Sequence, residues 1–167
     1  MLNLSEHVKV IDLGMVKDDG LAIDKAIKGA INSLKCNIIV TSGGVSMGEL
    51  DLIKPYIERE GTVHFGRLNM KPGKPTTLGT IGSTLVLALP GNPVSSFVAA
   101  SLLLPIAMQT LLEKPSHLAT AVIWPVTVTA HMYPQTVACD RLRPEYHRCT
   151  LYQTPDSKMH AISTGPN

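Results

Sequence analysis

Asn37-Ile-Ile-Val-Thr-Ser-Gly-Gly-Val-Ser-Met-Gly48 is the stretch whose reading decides the fold. Its apolar start, residues 37–40, predicts a buried strand. Residues 41–48 form a glycine turn. Residues 49–60 predict a helix, with Leu50, Ile53, Tyr56 and Ile57 at helical spacing and Gly61 ending it. Glycines at a strand-to-helix turn let a ligand approach the backbone, and a helix start offers free N–H groups to an anion. Two later turns repeat this chemistry: Lys71-Pro-Gly-Lys-Pro75 and Pro90-Gly-Asn-Pro-Val-Ser95. Together the three read as one anionic ligand site.

Working outward, residues 8–13 (Val-Lys-Val-Ile-Asp-Leu) predict a short strand, and residues 21–34 a helix with apolar positions 23, 26, 27, 30, 31 and 34. Downstream of Gly61, strands are expected over 62–68, 76–81 and 84–89. Asn92-Pro93 then opens a helix to about residue 112, since Asn is a preferred N-cap and Pro suits the first helical position. Pro105 is expected to kink it. Residues 113–117 are a linker by composition. Beyond them the pattern turns β-rich: 121–129 with Pro125 on an edge strand, then weaker strands at 136–142 and 148–153, and a tail, 163–167, in a loop. Strand and helix alternate over the first part, which favours a layered α/β sheet. The organisation expected is an α/β domain over 1–114, lacking its first strand and loop, and part of a small β domain over 118–167. Both ends read as cut.

The chain has 167 residues, 44% of them apolar and 4% aromatic, so the core should be aliphatic. A net charge of +2, with cations spread along the chain, gives no footprint for nucleic acid. No apolar run reaches membrane-spanning length, the longest being 97–108, and the N-terminus lacks the apolar segment of a signal peptide. Cys36, Cys139 and Cys149 are odd in number and form no CxxC pair, which favours reduced thiols in the cytosol over disulfides or zinc.

The glycine turn fails two nucleotide patterns. Gly43 and Gly48 have phosphate-loop spacing, but Glu49 and Leu50 stand where Lys and Ser/Thr are needed, and the dinucleotide fingerprint is absent. Backbone N–H groups with Ser42 and Ser46 could still hold a phosphate. Glu49 and Asp51 could hold a divalent cation or take a proton; alternatively they only cap a helix. In the second turn, Pro72 and Gly73 give a type II signature, which brings the Cα atoms of Lys71 and Lys74 within about 7 Å. Two ammonium groups about 6 Å apart repel by roughly 3 kcal/mol at an effective dielectric near 20, before solvent screening. An anion between them would relieve this; an exposed basic turn is the alternative. In the third turn Ser95 falls near the third helical residue, where its hydroxyl and free N–H groups would face a ligand; the alternative is an ordinary capped helix. Arg141, Arg143, His147 and Arg148 read as a basic loop face, and no histidine shows metal-ligand spacing.

TSGGVSMGELD (41–51), HFGRLNMKPGKPTT (64–77), LALPGNPVSS (87–96), RPEYHRC (143–149) and STG (163–165), in that order, resemble the molybdenum insertase family: bacterial molybdopterin molybdenumtransferases and the E domains of plant molybdenum-cofactor proteins and gephyrin. The 143–149 run is closest to the gephyrin-like branch. The resemblance implies a three-layer α/β/α domain of the molybdopterin-binding, adenylyltransferase-like type, followed by a small β domain. It implies a cytoplasmic transferase that inserts molybdate into adenylylated molybdopterin, releasing AMP, with Mg2+. Ser42, Gly43, Gly44, Ser46 and Gly48 would lie by the pterin phosphate or nucleotide. Asp51 would hold the metal and assist cleavage of the adenylate. Lys71, Lys74 and Ser95 would hold molybdate, helped by Arg143 and Ser163, and Pro75 would be a further cofactor-binding position. Family members carry an upstream Thr-Gly-Asp-Glu segment and N-terminal domains that contribute to a homodimer; nothing here matches them, so the chain reads as a fragment.

Two other functions compete. The adenylyltransferase step shares the glycine turn, but the second and third turns favour the insertase. A gephyrin-like scaffold binding a receptor loop peptide needs no anion clamp, and neither does an inactive fragment.

Overall fold

The computed structural model describes residues 8–44, 51–112, 127–128, 142–147, 149–156 and 159–163. The first helix, α1 (Gly20–Lys28), starts where Asp19 accepts the Ala22 N–H at 2.9 Å, and it passes into a π-helical turn, Gly29–Ser33. Ile23, Ile27 and Ala30 are its buried positions, three of those predicted from spacing. The strand β1 (Ile38–Ser42) follows, then α2 (Ile53–Glu60), which buries Ile53, Tyr56 and Ile57. Three strands come next, β2 (Thr62–Phe65), β3 (Thr77–Ile81) and β4 (Thr84–Leu89), and then the long helix α3 (Pro93–Leu111), which runs through Pro105.

The four strands make one mixed sheet in the order β1-β4-β3-β2, with β1 parallel to β4 and the other pairs antiparallel. Residues of β4 alternate between two cores, as side chains on a strand must. Val86 and Ala88 pack with Ile23, Ile27, Ile53 and Ile57 under α1 and α2. Leu87 and Leu89 pack with Ala99 under α3, flanked by Leu78, Leu103 and Leu104. The expected three-layer α/β/α arrangement is therefore present, with an aliphatic core in which Tyr56 is the aromatic exception among the described residues. A second sheet, order β5-β7-β6, is built from β5 (Thr127–Val128), β6 (Cys149–Gln153) and β7 (Met159–Ser163).

Several expectations are corrected. Residues 8–13 are not a strand: they run as exposed coil beside α1, with Val10 and Leu13 open to solvent. An alternating apolar run becomes a strand only where a sheet edge receives it, and among the described residues none pairs with the outer edge of β1. The second helix begins at Ile53, while Glu49 and Leu50 lie outside the described residues. Most of the strand expected at 121–129, and that at 136–142 up to Leu142, also lies outside them; Leu142 itself is a bend. Residue 163, expected in a loop, ends β7. The helix α3, at 19 residues, is long and apolar enough to cross a membrane by length and composition, contrary to the expectation from the shorter run at 97–108. It lies against the sheet through Ala99, Leu103 and Leu104.

Candidate functional site

The topology gathers the three turns at one end of the sheet. The strands β1 and β4 are parallel neighbours with Ser42 opposite Leu89, so the glycine turn and the Pro90–Ser95 turn leave the sheet side by side. The strand β3 is antiparallel to β4 with Thr77 opposite Ala88, so the Lys71–Pro75 turn enters at that same end. Loops beyond the carboxyl ends of adjacent parallel strands are where open α/β sheets bind ligands.

Contacts tie the turns together. The Gly43 N–H donates to Leu89 O at 3.0 Å, and a Cβ at Gly91 would lie 3.6 Å from Gly43 Cα. Gly43 and Gly44 have φ of +88° and +68°, a backbone that side chains disfavour, and a Cβ at Gly44 would meet Ile53 Cγ1 at 3.0 Å. Ser42 is exposed at the end of β1; Ser46 and Gly48 lie outside the described residues. Asp51 accepts the Lys54 N–H at 3.4 Å, the helix-capping alternative foreseen for it. No group of three or more His, Cys, Asp or Glu gathers at a metal-binding spacing among the described residues.

The lysine turn differs from the expected one. Gly73 has the anticipated positive φ, +111°, and Lys71–Pro72 is a cis peptide bond. The hydrogen-bonded turn, however, spans residues 73–76: both the Thr76 N–H (3.1 Å) and its hydroxyl (2.6 Å) donate to Gly73 O, with Lys74 and Pro75 at the tip. The Lys71 carbonyl instead accepts the Tyr146 N–H at 2.7 Å. Lys74 is exposed and Pro75 half-buried. The turn rests on α3, for a Cβ at Gly73 would lie 3.7 Å from Ala99 Cβ. Ala99 is one helical turn beyond Ser95 and on the same face, so Lys74, Pro75 and Ser95 share a neighbourhood.

At the start of α3 the free N–H groups expected for a ligand are already engaged. Asn92 Oδ1 accepts from Val94 N at 3.0 Å and Ser95 N at 3.1 Å, and Asn92 O accepts from Ser96 N. The Ser96 hydroxyl donates to Pro90 O. The half-buried Ser95 hydroxyl also donates to Asn92 Oδ1, but at a long 3.5 Å, so it is the donor at this helix start most readily turned to a ligand.

The 142–147 segment contributes what sequence reasoning missed. It lies along the lysine turn: Lys71 N–H donates to Pro144 O at 2.9 Å, Asn69 Nδ2 donates to Leu142 O at 3.4 Å, and Lys71 Nζ is 2.7 Å from Glu145 Oε1. The Glu145 side chain is only 5% exposed, so the segment is not simply a basic loop face. His147 Nε2 is buried 3.2 Å from the same oxygen without a well-aligned hydrogen bond. The repulsion foreseen between Lys71 and Lys74 is thus relieved on the Lys71 side by an internal carboxylate. Arg143, half-buried, travels with this segment. Ser163 pairs with Cys149 in the second sheet, two residues past His147, and its side chain lies outside the described residues. The one signal for Glu145 was the acidic residue within a cationic run.

A groove of about 580 Å³, lined by Leu13, Met15, Val16 and Leu34, lies between the N-terminal coil and α1 and contains none of the candidate residues.

Comparison with known proteins bears on the fold and the family. Residues 2–110 match the family described as a probable molybdopterin binding domain. The chain is 44% identical over 135 residues to gephyrin of Dictyostelium discoideum, covering 71% of this chain and 19% of that one. It is 41% identical over 92 residues to the molybdopterin molybdenumtransferase of Haemophilus influenzae, covering 55% and 22%. It thus spans about a fifth of these relatives' length. Among solved structures, the molybdopterin biosynthesis MoeA protein of Pyrococcus horikosii superposes with a TM-score of 0.59 at 22% identity, over 92% of this chain and 34% of that one. A molybdenum cofactor biosynthesis protein of Pyrococcus furiosus gives 0.60 at 19%, over 90% and 44%. Those two likenesses speak for the fold, and the sequence matches for the family: the chain belongs to the molybdopterin-binding domain family of molybdenum cofactor biosynthesis.

Proposed function

We propose that this chain carries the oxyanion half of a molybdenum insertase site, which places molybdate into adenylylated molybdopterin with release of AMP in the cytosol. One observation carries the reading: the three anion-suited turns meet at one end of the sheet, and the 142–147 segment brings Arg143 to the same turn. Molybdate is a compact dianion. Lys74 is exposed at the tip of a turn that Thr76 pins through both its N–H and its hydroxyl, so the backbone that carries the charge is already in place when the ammonium meets an anion. The Ser95 hydroxyl, one helical turn before the Ala99 on which this turn rests, would supply a donor by leaving its long 3.5 Å bond to Asn92. Gly43, where nothing lies within 4 Å of the position a Cβ would take, leaves room for a phosphate, while Gly44 lets the turn pack closely on Ile53.

Asp51 suits a divalent cation in part. One oxygen is engaged by Lys54 N–H and the second remains, and Mg2+ typically takes one or two carboxylates and fills its shell with water and phosphate oxygens. Such an ion supplies charge neutralisation at the adenylate when bound. Asp51 itself would orient it at the start of α2.

The test is single-turnover release of AMP from adenylylated molybdopterin, with and without molybdate. Molybdate-dependent release that is lost in Lys74→Ala supports the reading. AMP transfer from ATP without molybdate would replace it with the adenylyltransferase step.

A further inference from the structure

Lys71 is held at both ends by one tripeptide. Its backbone N–H and C=O bond to Pro144 and Tyr146, and its ammonium meets the Glu145 carboxylate at 2.7 Å. We infer that Glu145 is a positioning residue for the oxyanion site, fixing the Lys71 ammonium where an incoming dianion meets it. The inference rests on the oxyanion reading of the lysine turn.

The chemistry runs as follows. A lysine ammonium sits on a flexible four-carbon stem whose freedom must be lost when it grips a ligand. Glu145 is 5% exposed, and a carboxylate so removed from water is held as an anion only by paired charge and hydrogen bonds. It therefore draws the ammonium in, through a short charge-assisted contact. An ammonium has three N–H donors. One faces Glu145, and because the Lys71 side chain is still 39% exposed, the others can reach a ligand from solvent. Much of the ordering of Lys71 is done before the anion arrives. His147 Nε2 also lies 3.2 Å from that same Glu145 oxygen.

The experiment is calorimetric titration of molybdate into the chain and its Glu145→Gln variant, each also on a Lys71→Met background, with thermal melts to establish folding. Glutamine keeps the shape and an acceptor but loses the charge that holds the ammonium. The expected result is binding weaker by about three- to tenfold in Glu145→Gln, with that difference gone when Lys71 is already methionine. Unchanged or tighter binding in Glu145→Gln, or the same loss on both backgrounds, would overturn the inference while leaving the oxyanion reading intact. If the parent chain binds no molybdate, it is the oxyanion reading that fails. The Lys71–Glu145 relation is then decided by 15N NMR of the lysine ammonium groups: a Lys71 signal that is sharp in the parent and broadened away in Glu145→Gln upholds the fixing of Lys71, and a signal unaffected by the change overturns it.

Discussion

Gly73→Ala tests whether the lysine turn is held as tightly as its contacts indicate. Gly73 is buried at φ +111°, outside the regions open to side-chain-bearing residues, and a residue forced there costs about 1–3 kcal/mol. The new Cβ would lie 2.8 Å from Met70 Cε. That methyl is the end of a flexible chain and can move, at about 1 kcal/mol of displaced rotamer. Against these costs, alanine restricts the unfolded chain and returns about 0.4–1 kcal/mol. The net expectation is a loss of about 2 kcal/mol, or a shift of about 1 M in the urea midpoint for a slope near 2 kcal/mol/M. Gly82→Ala is the matched control. Gly82 has φ +57° in a two-residue hairpin loop, and nothing lies within 4 Å of its added Cβ, so the loss there should be about half as large. Equilibrium urea unfolding of both variants reads the difference. Should Gly73→Ala prove as stable as Gly82→Ala or more so, the turn is not pinned between Met70 and Ala99, and the placement of Lys74 beside Ser95 loses its support.

Other outcomes follow from the same contacts. Leu87→Ala, at a fully buried site under α3, should lose about 2–5 kcal/mol in urea unfolding. Asn92→Ala removes the acceptor of two helix-start N–H groups and should lose about 1–2 kcal/mol in thermal melts. Burial, and then the hydrogen bond to Asp24, push the Tyr56 hydroxyl up from 10.0 to about 12. A raised pKa gives stability that is full below the unfolded value and lost as pH rises through the folded one. Stability should therefore fall between about pH 10 and pH 12, and Tyr56→Phe should flatten that part of the pH profile in far-UV circular dichroism.

What could be read from the sequence was what local chemistry decides. The Gly43-Gly44 pair, the Gly73 turn and the Asn92-Pro93 helix start each need particular residues at particular backbone angles, so their types announce them. The helices α1 and α2 followed from the spacing of the residues they bury and β2 from its alternation, while β4, which feeds both cores, shows as a nearly continuous apolar run. Residues 8–13 have a strand's pattern without a strand's partner, and pattern alone cannot supply an edge. Glu145 was hidden for a related reason. Its partners sit on the far turn, as the Asn69–Leu142 contact 73 residues apart illustrates, and nothing local marks a carboxylate for burial. The Asn92 cap was legible, but its consequence was missed: a side chain that caps a helix well removes the same N–H groups from a ligand.

The most direct measurement is calorimetric titration of molybdate into the chain, with sulfate as the competing dianion and Lys74→Ala beside it. Lys74 is exposed and contributes little packing, so its loss should leave the melting temperature unchanged. The account predicts saturable binding that prefers molybdate over sulfate and falls in Lys74→Ala. Binding that is equal for both anions, or untouched by Lys74→Ala in a folded chain, would contradict it.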